Sequence, residues 1–198
     1  MFKRAFDIVF SAGWLIGFSP LLLAVAILVR LKLGSPVLFI QERPGLRARP
    51  FRMVKFRTMT DARGPDGELL PDEQRLTPFG SFLRASSLDE FPEMWNVLLG
   101  DMSVVGPRPL LLRYVPRYSP FQARRMEVKP GVTGWAQVNG RSAIDWDEKF
   151  ALDVWYVDHR TFWLDMKIVF MTFFKVLARS GINSGEGKAV EEFRGTRR

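Results

Sequence analysis

The residues best equipped for chemistry stand together in Ser86-Ser87-Leu88-Asp89-Glu90-Phe91-Pro92, two adjacent carboxylates at the opening of a helix. Pro92 has no backbone donor and belongs in the first turn, which puts Asp89 near the N-cap. Taken alone, the segment is explained by capping. Asp89 caps, Glu90 complements the helix dipole, and Ser87-x-x-Glu90 matches a capping box. A functional reading gives the carboxylates separate tasks: one attacks a phosphorus atom while the other helps hold a divalent metal. A carboxylate approaching a diphosphate is repelled unless cations neutralise the phosphoryl oxygens. Mg²⁺ does this with one or two carboxylates plus substrate phosphates.

Candidate cations lie on both sides. Arg84 is five residues before Asp89, Lys55 and Arg57 come from a predicted strand, and Arg108 sits in Gly106-Pro107-Arg108-Pro109. The prolines frame that guanidinium at little ordering cost, and Gly106 gives the backbone room to turn. Taken singly, each of these cations reads more readily as a solvated surface charge. No phosphate-binding glycine loop or dinucleotide fingerprint competes for the role.

Composition narrows the chemistry further. The chain has 198 residues, suited to one domain, with 29 Lys and Arg against 21 Asp and Glu and a net charge of +8. That balance favours anionic partners, whether acidic lipid, nucleic acid or phosphorylated substrates. There is no cysteine and one histidine, His159. Disulfides and thiol nucleophiles are excluded, and zinc clusters and histidine-dependent triads are disfavoured.

The first segment selects the membrane. Ile8 to Val29 carries no charge and is long enough to cross a bilayer. It exceeds a signal-peptide core and lacks a small-x-small cleavage site. Basic residues flank both ends, Lys3 and Arg4 before it and Arg30, Lys32 and Arg43 after it. Both flanks therefore prefer the cytoplasmic side, which one straight span cannot satisfy. Ser19-Pro20, near the middle, should kink the helix, with the Ser19 hydroxyl serving a freed carbonyl. A broken, re-entrant helix over residues 1–34 resolves both observations. Asp7 reads as an interface or snorkelling residue.

Residues 35–180 form the expected catalytic domain, mostly helical with a small sheet (α/β). Val37–Ile40 predicts a strand, Gln41–Arg52 a basic loop, and Phe51–Met59 a second strand. Asp61–Pro78 reads as a mobile surface loop. Thr77–Gly100 predicts two helical pieces stopped by Gly100. A short helix is expected around Phe121–Glu127, a turn at Asn139-Gly140, and a helix over Asp145–Asp158. Phe162–Ala178 is apolar but carries Asp165, Lys167 and Lys175. It reads as an interfacial helix, with a buried core helix as the alternative. Residues 181–198 are expected to be a flexible tail.

Ordered motifs across the chain resemble the bacterial sugar transferase family, the monotopic phosphoglycosyl transferases. They are Lys55-Phe56-Arg57-Thr58-Met59, Leu83-Arg84, Ser87 to Pro92, Asn96-Val97, Gly100 to Pro109, Lys129 to Arg141, and Asp153 with Tyr156-Val157. The resemblance implies a ping-pong transfer. Asp89 attacks the β-phosphate of a UDP-sugar, UMP leaves, and a polyprenyl phosphate such as undecaprenyl phosphate displaces the aspartate. It implies Glu90 as Mg²⁺ ligand, and phosphate or substrate binding by Lys55, Arg57, Arg84 and Arg108. Gln137, Arg141 and Asp153 are weaker transfers, and structural roles would equally explain them. The family's re-entrant helix with a Ser-Pro break matches Ser19-Pro20, placing the active site on the cytoplasmic face of the bacterial inner membrane. Larger relatives carry further spans and another domain, so the chain looks like a minimal catalytic form. His159 to Trp163 has no evident counterpart. The competing expectation is a membrane-anchored basic module that binds acidic lipid or nucleic acid without catalysis. The motif resemblance points instead to a transferase, for which no nucleic-acid partner is expected.

Overall fold

The computed structural model describes residues 2–140, 144–177 and 192–195. Helix α1 (Phe2–Gly17) and helix α2 (Ser19–Leu33) meet at a 62° bend. Pro20 has no N–H to offer the Ile16 carbonyl four residues back. The Ser19 hydroxyl donates to that oxygen instead, at 2.7 Å. The kink and its compensation are thus those expected from the dipeptide. Among the described residues no single helix is long and apolar enough to cross a membrane, although the bent pair together is.

Strand β1 (Leu38–Pro44) and strand β2 (Pro50–Phe56) form an antiparallel hairpin, with Phe39 opposite Lys55, Gln41 opposite Met53 and Arg43 opposite Phe51. Most of the expected loop Gln41–Arg52 is therefore strand, turning only at Gly45–Arg49. The charged residues of this stretch hide the alternation that marks a strand. β2 also ends earlier than expected, leaving Arg57 just beyond it. The following stretch includes an isolated bridge between Arg63 and Leu69 and the single-turn helix α3 (Asp72–Arg75).

Helix α4 (Pro78–Ala85) is capped by Thr77, whose hydroxyl accepts from Gly80 N. Gly80 sits so close to the Thr58 carbonyl that a Cβ there would lie 1.8 Å from the oxygen. This contact brings Arg84 to the end of β2. A 3-10 turn, Leu88–Glu90, leads into helix α5 (Glu93–Leu99), which Gly100 ends at φ +96°. Buried Asn96 ties α5 to the hairpin, accepting from Val54 N at 3.0 Å and donating to the Arg52 carbonyl at 2.8 Å.

Strand β3 (Ser103–Val105) pairs in parallel with strand β4 (Gly131–Thr133), so there are two small sheets where one was expected. Gly106 follows β3 with no room for a side chain: an added Cβ would lie 2.4 Å from the Lys129 carbonyl. Helix α6 (Pro120–Ala123) continues into a 3-10 turn, Arg124–Glu127, where a single helix was expected. Helix α7 (Trp135–Asn139) precedes helix α8 (Trp146–His159), which Asp145 caps through Glu148 N. Helix α9 (Phe162–Leu177) combines both readings of its sequence. Asp165 and Ile168 are buried, whereas Trp163, Phe170, Phe173 and Phe174 are exposed.

The core is shared between the N-terminal helices and the rest. Val25, Val29 and Leu33 of α2 pack with Phe56 and Leu83, and Phe6, Phe10 and Trp14 of α1 cover a cluster containing Met94, Val97 and Val104. The polar side of α1 faces inward. Asp7 is buried and accepts from the Ser103 hydroxyl and Val104 N, both at 3.0 Å, so it is not a snorkelling residue. Lys3 reaches Asp165 at 2.5 Å and the Val105 carbonyl at 3.0 Å, and Tyr156 donates to both acceptors. This network clamps the end of β3, three residues before Arg108. The tail expected over 181–198 lies mostly outside the described residues. Within the described part, Phe193 is buried among Tyr114, Tyr118, Trp146 and Phe150.

Candidate active site

Asp89 and Glu90 occupy the 3-10 turn rather than the N-cap of α5, and the capping box does not form. Ser87 adopts a left-handed conformation at φ +57° and its side chain makes no cap bond, while Pro92 holds the N-cap position. The turn is closed by its own backbone, Glu90 N to the Ser87 carbonyl and Phe91 N to the Leu88 carbonyl. Capping therefore does not account for the pair of acids.

Their environments differ sharply. Glu90 is held by the two terminal nitrogens of Arg108 and by Lys55 Nζ at 2.8 Å. Burial would raise its pKa, but the charges and hydrogen bonds of Arg108 and Lys55 outweigh that and hold it well below the usual carboxylate range. Glu90 in turn raises Arg108. Asp89 is buried, yet its carboxylate accepts no hydrogen bond among the described residues. Burial, followed by the negative charge of Glu90, raises it from 3.8 to about 6, against the opposing pull of Lys55, Arg108 and Arg84. One acid is committed to cations and the other, among the described residues, is bonded to none.

Lys55 also lies 2.9 Å from Glu93, a third carboxylate that the sequence reading passed over. Glu93 is fully buried, and burial followed by the charge of Glu90 raises it to about 7. Its signal was present: a charge three residues after Glu90, on the apolar side of a helix. Arg84 donates its Nε to the Thr58 hydroxyl at 3.0 Å, and its terminal nitrogens make no hydrogen bond among the described residues.

The remaining expected residues divide. Arg57 is turned away from this cluster, bound to the Ser35 and Met59 carbonyls and to Asp61. Asp153 forms a buried pair with Arg125 at 2.7 Å, and Arg125 donates to the Arg108 carbonyl at 2.8 Å. Asp153 thus supports Arg108 at one remove. Gln137 donates to the Val132 carbonyl, leaving its Oε1 buried without a partner. Arg141 lies outside the described residues.

The raised Asp89 carries a cost with a definite sign. Its folded pKa exceeds the unfolded value, so the stability it contributes is complete below about pH 4 and is lost as pH rises through about 6. The difference is on the order of 3 kcal/mol. In the metal-free protein, Asp89→Asn should therefore melt several degrees higher than the parent at pH 8. The gap should close as pH falls to 4. Differential scanning fluorimetry in chelator across that range checks it.

The model of the bacterial sugar transferase family matches residues 1–179. The chain is 54% identical over 194 residues to the uncharacterized sugar transferase EpsL of Bacillus subtilis, covering 98% of this chain and 96% of that protein. It is 42% identical over 185 residues to a UDP-glucose:undecaprenyl-phosphate glucose-1-phosphate transferase of Klebsiella pneumoniae, covering 88% of this chain and 40% of that protein. It is 38% identical over 187 residues to a UDP-N-acetylgalactosamine-undecaprenyl-phosphate N-acetylgalactosaminephosphotransferase of Aeromonas hydrophila, covering 90% of this chain and 44% of that protein. The fold is mostly helical α/β, and its two adjacent acids lie among Lys55, Arg84 and Arg108. The chain belongs to the bacterial sugar transferase family. It spans nearly all of EpsL but about two-fifths of the Klebsiella and Aeromonas proteins.

Proposed function

We propose that the protein transfers a sugar-1-phosphate from a UDP-sugar to a polyprenyl phosphate, undecaprenyl phosphate in bacteria, releasing UMP. The observation that carries this reading is the asymmetry of the acids: Asp89 is free of hydrogen bonds while Glu90 is clamped by Arg108 and Lys55. Relatives named for this same transfer, with UDP-glucose and UDP-N-acetylgalactosamine as donors, support the substrate class.

In the first step an Asp89 oxygen forms a bond to the phosphorus that bears the sugar. The bond from that phosphorus to the bridging oxygen breaks, and UMP departs with the electron pair. In the second step an oxygen of the polyprenyl phosphate attacks the same phosphorus and returns Asp89 as carboxylate. Arg84 and Arg108 offset charge on the diphosphate, and Lys55 holds Glu90 and Glu93 in place.

Among the described residues no three acidic or imidazole groups converge to cage a metal. That suits Mg²⁺, which takes one or two protein carboxylates and completes its shell with phosphate oxygens and water. Glu90, with hard oxygen donors beside the nucleophile, is the residue to hold it. When bound, the ion supplies positive charge to the diphosphate. Incubating the purified chain with a panel of UDP-sugars should release about one UMP per enzyme without lipid, and many with undecaprenyl phosphate. A chelator should abolish both. Salt-sensitive lipid binding with no UMP from any donor would instead favour the basic module.

The bent pair α1–α2 is read as a re-entrant anchor that enters and leaves the cytoplasmic face of the inner membrane. Support comes from the inverted polarity of α1: Lys3, Arg4 and Asp7 bond to the protein, while Ile8, Val9 and Ile16 are exposed. Exposed aromatics on α9 suit the headgroup region. The chain lacks cysteine, so single cysteines placed at Phe2 and Asp66 can be labelled cleanly. Both should react from the cytoplasmic side only, and opposite-side reaction would restore a spanning helix.

A further inference from the structure

Arg43 is half-buried, and its pairing sets it apart from three other arginines of the fold. Arg57 is paired with Asp61, Arg108 with Glu90, and Arg125 with Asp153. Arg43 has no carboxylate partner among the described residues. Its terminal nitrogens reach only neutral oxygens, the Pro109 carbonyl at 3.4 Å and Gln41 Oε1 at 2.6 Å, and its Nε is buried with no partner. Partial burial of a cation without a counter-ion is unfavourable, and an anion that binds beside it offsets that penalty.

The hairpin aims this charge at the site. Paired residues of an antiparallel ladder share a face, and alternate residues along a strand return to it. Gln41, Arg43 and Lys55 therefore line one face of β1–β2, with Arg43 reaching the Pro107-Arg108-Pro109 segment through the Pro109 carbonyl. Burial, then the like charge of Arg108, lowers the Arg43 pKa, and Glu93 opposes this only partly. Glu93 is a poor counter-ion for Arg43, because its carboxylate is already paired with Lys55 at 2.9 Å.

We propose that Arg43 and Arg108 frame one anion subsite, which takes a phosphate group of the substrate beside the Asp89 turn. The identity of that phosphate rests on the transferase reading; the existence of the subsite does not. It has two possible sources, the diphosphate of the donor or the phosphate of the acceptor lipid.

The test uses the full chain in nanodiscs, titrated calorimetrically with inorganic pyrophosphate. Arg43→Gln should weaken binding by about tenfold to a hundredfold, the loss of one to two charge-assisted hydrogen bonds. Arg43→Lys should weaken it less, and Arg49→Gln, an exposed arginine of the same hairpin, not at all. Ligand-free Arg43→Gln should melt at or above the parent temperature, because it removes a half-buried charge with no counter-ion. A purely structural arginine would show the opposite. Repeating the titrations with UDP and with farnesyl phosphate identifies the source, since the larger loss falls on the ligand whose phosphate Arg43 contacts. Equal pyrophosphate affinity in the parent and Arg43→Gln overturns the proposal. So does failure of the parent to bind pyrophosphate, or failure of Arg43→Gln to fold. Arg43-dependent pyrophosphate binding in a protein that releases no UMP would sink the transferase reading and leave the subsite standing.

Discussion

Asp89→Asn should reduce UMP release by about 10⁴-fold or more, to the limit of detection, with UDP-sugar binding changed only a few-fold. Removing a nucleophile eliminates a covalent route, and the residual rate reflects only the surrounding electrostatics. Binding should survive because the phosphate contacts are assigned to Arg84 and Arg108, neither of which is hydrogen-bonded to Asp89. The same substitution should stabilise the metal-free fold at pH 8, since burial and Glu90 disfavour the ionised Asp89. Loss of activity with gain of stability separates a reactive group from a structural one. Glu90→Gln should differ, losing activity and stability together, because Arg108 and Lys55 would face a neutral amide. Paired steady-state assays and melting curves on both variants check this.

The second large effect lies away from the chemistry. Asp153→Asn should cost about 3–5 kcal/mol of stability, the usual result of removing one partner from a buried ion pair. Asp153 and Arg125 are both almost fully buried, and the variant leaves Arg125 with no counter-charge. Activity should fall too, because Arg125 also donates to the Arg108 carbonyl. Replacing both partners, Arg125→Met with Asp153→Leu, should recover most of the melting temperature but not the activity. The pair would then be shown to position Arg108 as well as to hold the fold. If the double variant regained full activity, the support given to Arg108 would be dispensable.

Features decided by local backbone chemistry were legible in the sequence. Pro20 removes a donor from its own turn and Ser19 is the nearest hydroxyl, so the bend and its repair follow from the dipeptide. Gly100 stops α5 because a left-handed residue is needed there. Features decided by distant partners were not legible. Arg57 and Arg84 look alike as cations, yet one turns to the exit of α2 through Ser35 and the other to Thr58 beside the acids. Asp7 reads as an interface residue until Ser103 and Val104 are packed against α1. The capping box failed because Ser87 must reverse the chain between α4 and the 3-10 turn. A left-handed backbone there carries its hydroxyl out of reach. Glu93 carries no sequence signal beyond its charge on the apolar side of a helix, and Arg43 reads only as a basic flank, because each acquires significance only when the hairpin is laid against α5 and Arg108.

Asp89 is buried and elevated as Glu93 is, but unlike Glu90 and Glu93 it forms no ion pair among the described residues, and the proposed chemistry depends on that single carboxylate becoming covalently modified. Intact-protein mass spectrometry after brief incubation with the donor that releases UMP, with Mg²⁺ and without lipid, reads this directly. The expected result is a gain equal to one phosphosugar, mapped to Asp89, absent in Asp89→Asn and lost on adding undecaprenyl phosphate. Stoichiometric transfer to lipid with no adduct at any time, or an adduct that persists in Asp89→Asn, would contradict the role assigned to Asp89.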